Sequence, residues 1–292
     1  INMNHNSYTL GIDFGTTSLS LVLVESKTCE IVKQLSIIHN AYIPFPDRNR
    51  KEQDLSILEK CLNNALEQII YFSNGNIDLI GLTGQQHGII GLNSEGKAIT
   101  NLVTWQDEST LAPLYAGENI IDQMKQLVPN LSVSAGYGLA TLYKWVNIDK
   151  ITDIVRFTDV ADYFGMILTK NFKYNAMHPS IAHSIGAFDV FSSRWEISML
   201  HKLNLNPQIF SEITDLSTPI GFAAFSQKDN KIPVYPAIGD NQASFLGTVG
   251  NTENAMLINI GTGAQISVAI DRATAEKIKV NNTIVAIGCA IA

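Results

Sequence analysis

The chain has 292 residues, a formal net charge of −7, three cysteines and 46% apolar content. Such apolar content supplies a sizeable core and excludes a disordered or collagen-like chain. The acidic balance argues against a nucleic-acid partner, which would need a Lys/Arg surplus to displace counterions. No apolar run reaches the ~18 residues of a membrane span, and the polar start Ile1–Asn6 lacks a secretion signal. Cys29, Cys61 and Cys289 are too scattered for a disulfide framework or a zinc ribbon. A cytoplasmic, reducing compartment with no membrane partner is therefore expected.

In chain order, Tyr8–Phe14 and Leu19–Val24 flank Gly15-Thr16-Thr17 as two β-rich runs, which predicts a hairpin. A strand is expected at Ile31–His39 and a loop at Asn40–Asn49, which carries Pro44 and Pro46. From Asp54 to Phe72 the apolar residues Leu55, Leu58, Leu62, Ala65, Leu66, Ile69 and Ile70 line one helical face. Short buried strands are expected at Ile77–Thr83 and Ile89–Leu92, around the Gly84–Gly88 turn. Helices are expected at 121–127, 138–146, 159–168, 193–203 and 241–249. Alternating strands and helices predict an α/β fold.

The chain also echoes itself. Leu10-Gly11-Ile12-Asp13-Phe14-Gly15-Thr16-Thr17 aligns with Met256-Leu257-Ile258-Asn259-Ile260-Gly261-Thr262-Gly263 at a constant offset of 246. Each copy is an apolar strand, a short polar side chain, an apolar residue and Gly-Thr, followed by a second β-rich run. Two related domains would each open on such a hairpin, with 1–250 as the first and 251–292 as the start of the second.

Glycine and threonine suit a phosphate cradle, because glycine lets backbone N–H groups turn inward and the hydroxyls add donors. An Asp ending the first strand can hold Mg²⁺ through water. Asp13, Gly15, Thr16 and Thr17 fit these roles, and Gly261, Thr262 and Gly263 could close from the other side. The alternative is two ordinary tight turns. In Gly239-Asp240-Asn241-Gln242 a strand meets a helix, so Asp240 is either an N-cap or a general base for a hydroxyl proton, with Asn241 orienting the acceptor. Thr83-Gly84-Gln85-Gln86-His87-Gly88 and Thr104-Trp105-Gln106-Asp107 offer amides, an imidazole, an indole and a carboxylate suited to a polyhydroxylated ligand. The alternative is a polar turn with a satisfied His87 and a core Trp105. The remaining histidines are scattered and suggest no metal cluster.

Taken together and in this order, the motifs resemble the FGGY carbohydrate kinases, with TGQQHG, TWQD, GDNQAS and NIGTGAQIS spread from Leu10 to about Ile270. HNA (His39–Ala41), EQD (Glu52–Asp54), SAGYGLATLYKW (Ser134–Trp145) and MHPS (Met177–Ser180) resemble the sedoheptulokinase branch. The resemblance implies an RNase H-like domain of the sugar kinase/actin/Hsp70 type, with a second such domain largely missing. It implies an ATP- and Mg²⁺-dependent kinase of a ketose, most closely sedoheptulose, with xylulose or another polyol as the alternative. Asp240 then matches the catalytic base and Asp13 the carboxylate facing Mg²⁺ and the transferred phosphate. Thr16, Thr17 and Gly261–Gly263 match the phosphate loops, and Gln86, His87, Trp105 and Asn241 the sugar contacts. Most relatives have Met at the position of Gln86 and Arg at that of Ser109. They also continue into a Gly-rich adenosine segment, so this chain is expected to be a sugar-binding module that is inactive alone. The expected partner is a small-molecule sugar, with a homodimer left open.

Overall fold

The structure, a computed structural model, describes residues 6–114, 117–225, 231–250, 255–260, 264–271 and 274. Hydrophobic alternation becomes a hairpin at once. Strands β1 (Tyr8–Phe14) and β2 (Ser18–Glu25) pair antiparallel from Tyr8↔Glu25 to Phe14↔Leu19. Because side chains alternate across a strand, Leu10, Ile12, Phe14, Leu19, Leu21 and Leu23 all turn to the buried face. Strand β3 (Ile31–Ile38) extends the sheet beside β2.

After the two-residue β4 (Glu52–Gln53), helix α1 (Leu55–Ser73) starts where Asp54 accepts the Ser56 N–H. It stops at Asn74, which takes the left-handed conformation. Its face of Leu58, Leu62, Ala65, Leu66 and Ile69 is buried, as the spacing predicts. Strand β5 (Ile77–Gly84) then runs parallel to β1, placing Asp13 beside Thr83 and Phe14 beside Gly84. The C-terminal ends of both strands thus meet at one end of the sheet, where the candidate site lies.

Strands β6 (Ile90–Leu92) and β7 (Leu102–Val103) lead to helices α2 (Ile120–Leu127) and α3 (Gly138–Tyr143). A turn of π-helix at Lys144–Ile148 continues α3, where one α-helix to 146 is expected. Strand β8 (Arg156–Thr158) and helix α4 (Val160–Thr169) follow. Next come β9 (Ala176–Met177), α5 (Pro179–Ile185), β10 (Phe188–Asp189), β11 (Arg194–Trp195) and α6 (Ile197–Lys202). The helix expected over 193–203 is therefore corrected. Ser193 has φ 52° and Arg194–Trp195 pair with Phe188–Asp189, so the chain turns a hairpin first and the helix begins only at Ile197.

Beyond β12 (Glu212–Ile213), strands β13 (Gly221–Ala223), β14 (Ile232–Val234) and β15 (Ile238–Gly239) return to the main sheet. Its order is β13-β14-β5-β1-β2-β3, with β15 also beside β5. Helix α7 (Asp240–Val249) grows directly from β15. The echoed segment does form a second antiparallel hairpin, β16 (Met256–Ile260) and β17 (Ala264–Val268). It closes at Ile260↔Ala264, one residue tighter than Phe14↔Leu19. One hydrophobic core lies under the main sheet with α1 and α4, and a second joins α2, α3, α5 and α6. Among the described residues, no helix is long and apolar enough to cross a membrane.

Candidate active site

The Gly15–Thr17 turn is held from behind. His39 Nε2 meets the Gly15 carbonyl at 3.3 Å, Gln53 Nε2 donates to the Thr16 carbonyl at 2.8 Å, and the His39 N–H donates to Thr17 at 3.2 Å. The Ala41 N–H donates to His39 Nδ1 at 3.1 Å, so Nε2 carries the proton, and burial holds the ring below the usual imidazole range. A trans peptide points its N–H opposite its carbonyl, so tying these carbonyls inward turns the Thr16 and Thr17 N–H groups outward. That is the arrangement of a phosphate-binding nest. Gln85 continues the support, donating to Gln53 Oε1 at 3.0 Å and, from its backbone, to the Phe14 carbonyl at 2.9 Å. The sequence gives His39 and Gln53 only as parts of short motifs; their spacing carries no sign of this task.

The two loops expected to meet a polyol converge on this turn. Trp105 Nε1 donates to Thr16 Oγ1 at 2.9 Å, and the indole is 46% exposed, which corrects the core alternative. A Cβ on Gly136, whose φ is +81°, would strike the Trp105 carbonyl, so glycine is required behind the indole. Asp107 is buried with both oxygens engaged: Oδ2 by the Lys51 N–H at 2.8 Å, Oδ1 by the Ser109 N–H and hydroxyl at 3.0 and 2.5 Å. It fixes the turn, and the expectation that its carboxylate is offered to a ligand is corrected.

His87 takes a left-handed φ of 69° and stacks on Tyr137 with ring centroids 4.5 Å apart. Its Nδ1 lies 2.6 Å from the Ser184 carbonyl, which can only accept, so Nδ1 carries the proton and Nε2 is left as an acceptor. Burial lowers its pKa and favours this neutral form. The sequence gives Tyr137 only as part of the Ser134–Trp145 motif, because an aromatic ring beside apolar residues reads as core. Gln86, expected to touch a sugar, is buried and engaged at both ends: Nε2 donates to the Ser180 carbonyl at 2.8 Å and Oε1 accepts from Asn241 Nδ2 at 3.0 Å. It braces α5 against α7.

Asp240 is the first residue of α7, and the N-cap is Gly239. The capping alternative is thus corrected: the Asp240 carboxylate accepts the adjacent Asn241 N–H, at 2.8 Å, from within the helix rather than ahead of it. Burial raises its pKa. Across the site, burial and then the charge of Asp240 push Asp13 up to about 6. Among the described residues, the buried Asp13 Oδ1 has no hydrogen-bond partner. Two carboxylates that repel one another, one with an orphaned oxygen, fit a hard divalent cation such as Mg²⁺. Gly261, Thr262 and Gly263 lie outside the described residues.

Comparison with known proteins places the chain in a family. The family model "FGGY family of carbohydrate kinases, N-terminal domain" matches residues 8–247. The chain is 28% identical over 278 residues to a xylulose kinase of Staphylococcus xylosus, covering 92% of this chain and 56% of the relative. It is 25% identical over 292 residues to a sedoheptulokinase of Mus musculus, covering 90% and 59%. Among solved structures it resembles a kinase from Brucella ovis described as a xyloylose kinase, with TM-score 0.72, 21% identity and coverage of 88% and 54%. It also resembles Plasmodium falciparum glycerol kinase with ADP, with TM-score 0.72, 17% identity and coverage of 89% and 54%. The fold is the α/β, RNase H-like fold of these sugar kinases, and the chain spans somewhat over half the length of these relatives. The chain belongs to the FGGY family of carbohydrate kinases, and residues 8–247 match that family's N-terminal domain.

Proposed function

We propose that this chain supplies the sugar site, the catalytic base and one phosphate loop of an ATP-dependent kinase acting on the terminal hydroxyl of a ketose. The observation that carries the reading is the convergence of Asp240, Asp13 and the outward-turned Gly15–Thr17 backbone at one end of the sheet. In this reading the indole of Trp105 packs against the sugar's C–H face, and His87 Nε2 accepts one of its hydroxyls. Asp240 takes the proton of the attacking hydroxyl as the sugar oxygen bonds to the γ-phosphorus and the bond to the β-phosphate breaks, releasing ADP. The Thr16 and Thr17 N–H groups bind phosphate oxygens, and Asp13 is the residue that would hold Mg²⁺. When bound, that ion neutralises charge on the phosphates. The Gly261–Gly263 segment and the division at residue 250 belong to the same proposal.

Sedoheptulose and xylulose are equally supported as substrates, since kinases of both are relatives at 25% and 28% identity. A panel of sedoheptulose, xylulose, ribulose, glycerol and gluconate, ranked by kcat/KM with the full-length protein, tests the reading. A ketose is expected to lead by at least about tenfold, since pockets that pair hydroxyls reject analogues lacking them. Failure of every ketose to accept phosphate contradicts it. A second reading follows from the chain's coverage of its relatives: these 292 residues alone bind the ketose without turning it over.

A further inference from the structure

The catalytic position is weakly held by its own elements. Strand β15 is only two residues long, pairing Ile238↔Thr83 and Gly239↔Gly84, and two-residue strands contribute little on their own. Helix α7, which starts at Asp240, has no buried residue. Neither element fixes the carboxylate by packing.

Side chains from three other elements do hold the three residues before it. Asp162 on α4, fully buried, accepts the Ala237 N–H through Oδ1 at 2.8 Å. Thr83 on β5 donates its hydroxyl to the Ile238 carbonyl at 2.8 Å. Ser180 on α5, also fully buried, accepts the Gly239 N–H through Oγ at 3.0 Å. The Ser180 hydroxyl is itself oriented, because His178 Nδ1 lies 2.8 Å from it and already accepts the Ser180 N–H at 3.2 Å. That nitrogen is therefore unprotonated and takes the hydroxyl proton, leaving an Oγ lone pair for Gly239. A side chain on Gly239 would collide with Gln86 and Gln242, so the held backbone also has no room to shift toward them.

We propose that Asp162, Thr83 and Ser180 are positioning residues that clamp Ala237, Ile238 and Gly239 and thereby set where the Asp240 carboxylate stands. None of the three needs to touch sugar or nucleotide. The clamp rests on the reading of Asp240 as base, because misplacing a catalytic group by about 1 Å costs on the order of 100-fold in rate while leaving substrate binding largely intact.

The test separates the clamp from that reading. Amide hydrogen exchange of the 292-residue chain reads the clamp without any turnover: Ser180→Ala is expected to speed exchange at Gly239 at least about tenfold, since its acceptor is removed. Turnover in the full-length form reads the consequence. Ser180→Ala and Thr83→Val are expected to lower kcat by about 10–100-fold with the KM and calorimetric Kd for xylulose or sedoheptulose within about threefold, and Thr83→Ser to recover most of it. Unchanged Gly239 exchange, or faster exchange with unchanged kcat, overturns the clamp. Should Ser180→Ala not fold, the Thr83 pair decides, and equal kcat in Thr83→Val and Thr83→Ser is the overturning result. A parent that phosphorylates no sugar contradicts the kinase reading, and the exchange at Gly239 then judges the clamp alone.

Discussion

Burial sets the behaviour of Asp13 more than any partner does. Its folded pKa of about 6 lies above the ordinary value of 3.8, so the native state binds more protons than the unfolded chain between those limits. Stability contributed by this group is therefore lost as pH rises from about 4 to about 6, and the penalty is complete above that. Asp13→Asn should relieve it. A gain of about 1–2 kcal/mol is expected at pH 8, discounted because the carboxyl is only partly buried, and close to none at pH 4. Thermal melts should show about 2–3 °C at pH 8, and no gain there would contradict the burial penalty. In the proposed reading the same residue serves the phosphate site, so the stabilised variant should have lost turnover, the common exchange of stability for function. At Gly136, alanine would meet both an unfavourable φ and the Trp105 carbonyl. It should cost about 2–3 kcal/mol in denaturant unfolding and shift the Trp105 fluorescence, whereas a change below about 0.5 would show that the indole is not held there.

At the scale of elements, the sequence is clearest where one periodicity runs long enough. The β1–β2 hairpin and the α1 face are legible because Leu10 to Leu23 alternate and Leu58 to Ile69 repeat at helical spacing. Over 193–203 the apolar residues Trp195, Leu200 and Leu203 serve two different elements, and a single period cannot separate them. Helix α5 was missed although its start was written out: His178 caps it and Pro179 occupies its first position. The candidate site was legible as motifs, because Gly-Thr turns and Gly-Asp-Asn have chemistry at fixed offsets. What lies behind them was not. His39, Gln53 and Ser184 act on residues 24, 37 and 97 positions away, and such contacts exist only after the strands pair. Trp105→Phe isolates another such long-range contact by removing the indole N–H from Thr16. Sugar affinity is expected to fall no more than about threefold while kcat falls about three- to tenfold, since a single neutral hydrogen bond is worth about 1 kcal/mol. A large loss of affinity with unchanged kcat would assign the N–H to the sugar instead.

The whole molecule places the candidate site at one end of the sheet, with Asp13, Thr83 and Gly239 on the main-sheet side and His87, Tyr137 and Ser184 beside the second core. A sugar there would touch both sides, so binding should stabilise both together. Saturation at about 100 times Kd adds about 2.7 kcal/mol, which should raise the melting temperature of the 292-residue chain by about 4 °C. On the later hairpin, Met256, Ile258, Ile266 and Val268 share one face and are all exposed, whereas their counterparts in the first hairpin are buried under helices. Because the chain spans somewhat over half the length of its relatives, turnover is best read in the full-length form. The most direct measurement compares that form with its Asp240→Asn variant, following ATP-dependent phosphorylation of the preferred ketose and its calorimetric Kd at pH 7.5. Loss of at least about 1,000-fold in kcat with Kd within about threefold is the expected result, in line with removal of a general base together with its charge. Retention of more than about a tenth of the parent's kcat would contradict Asp240 as the base.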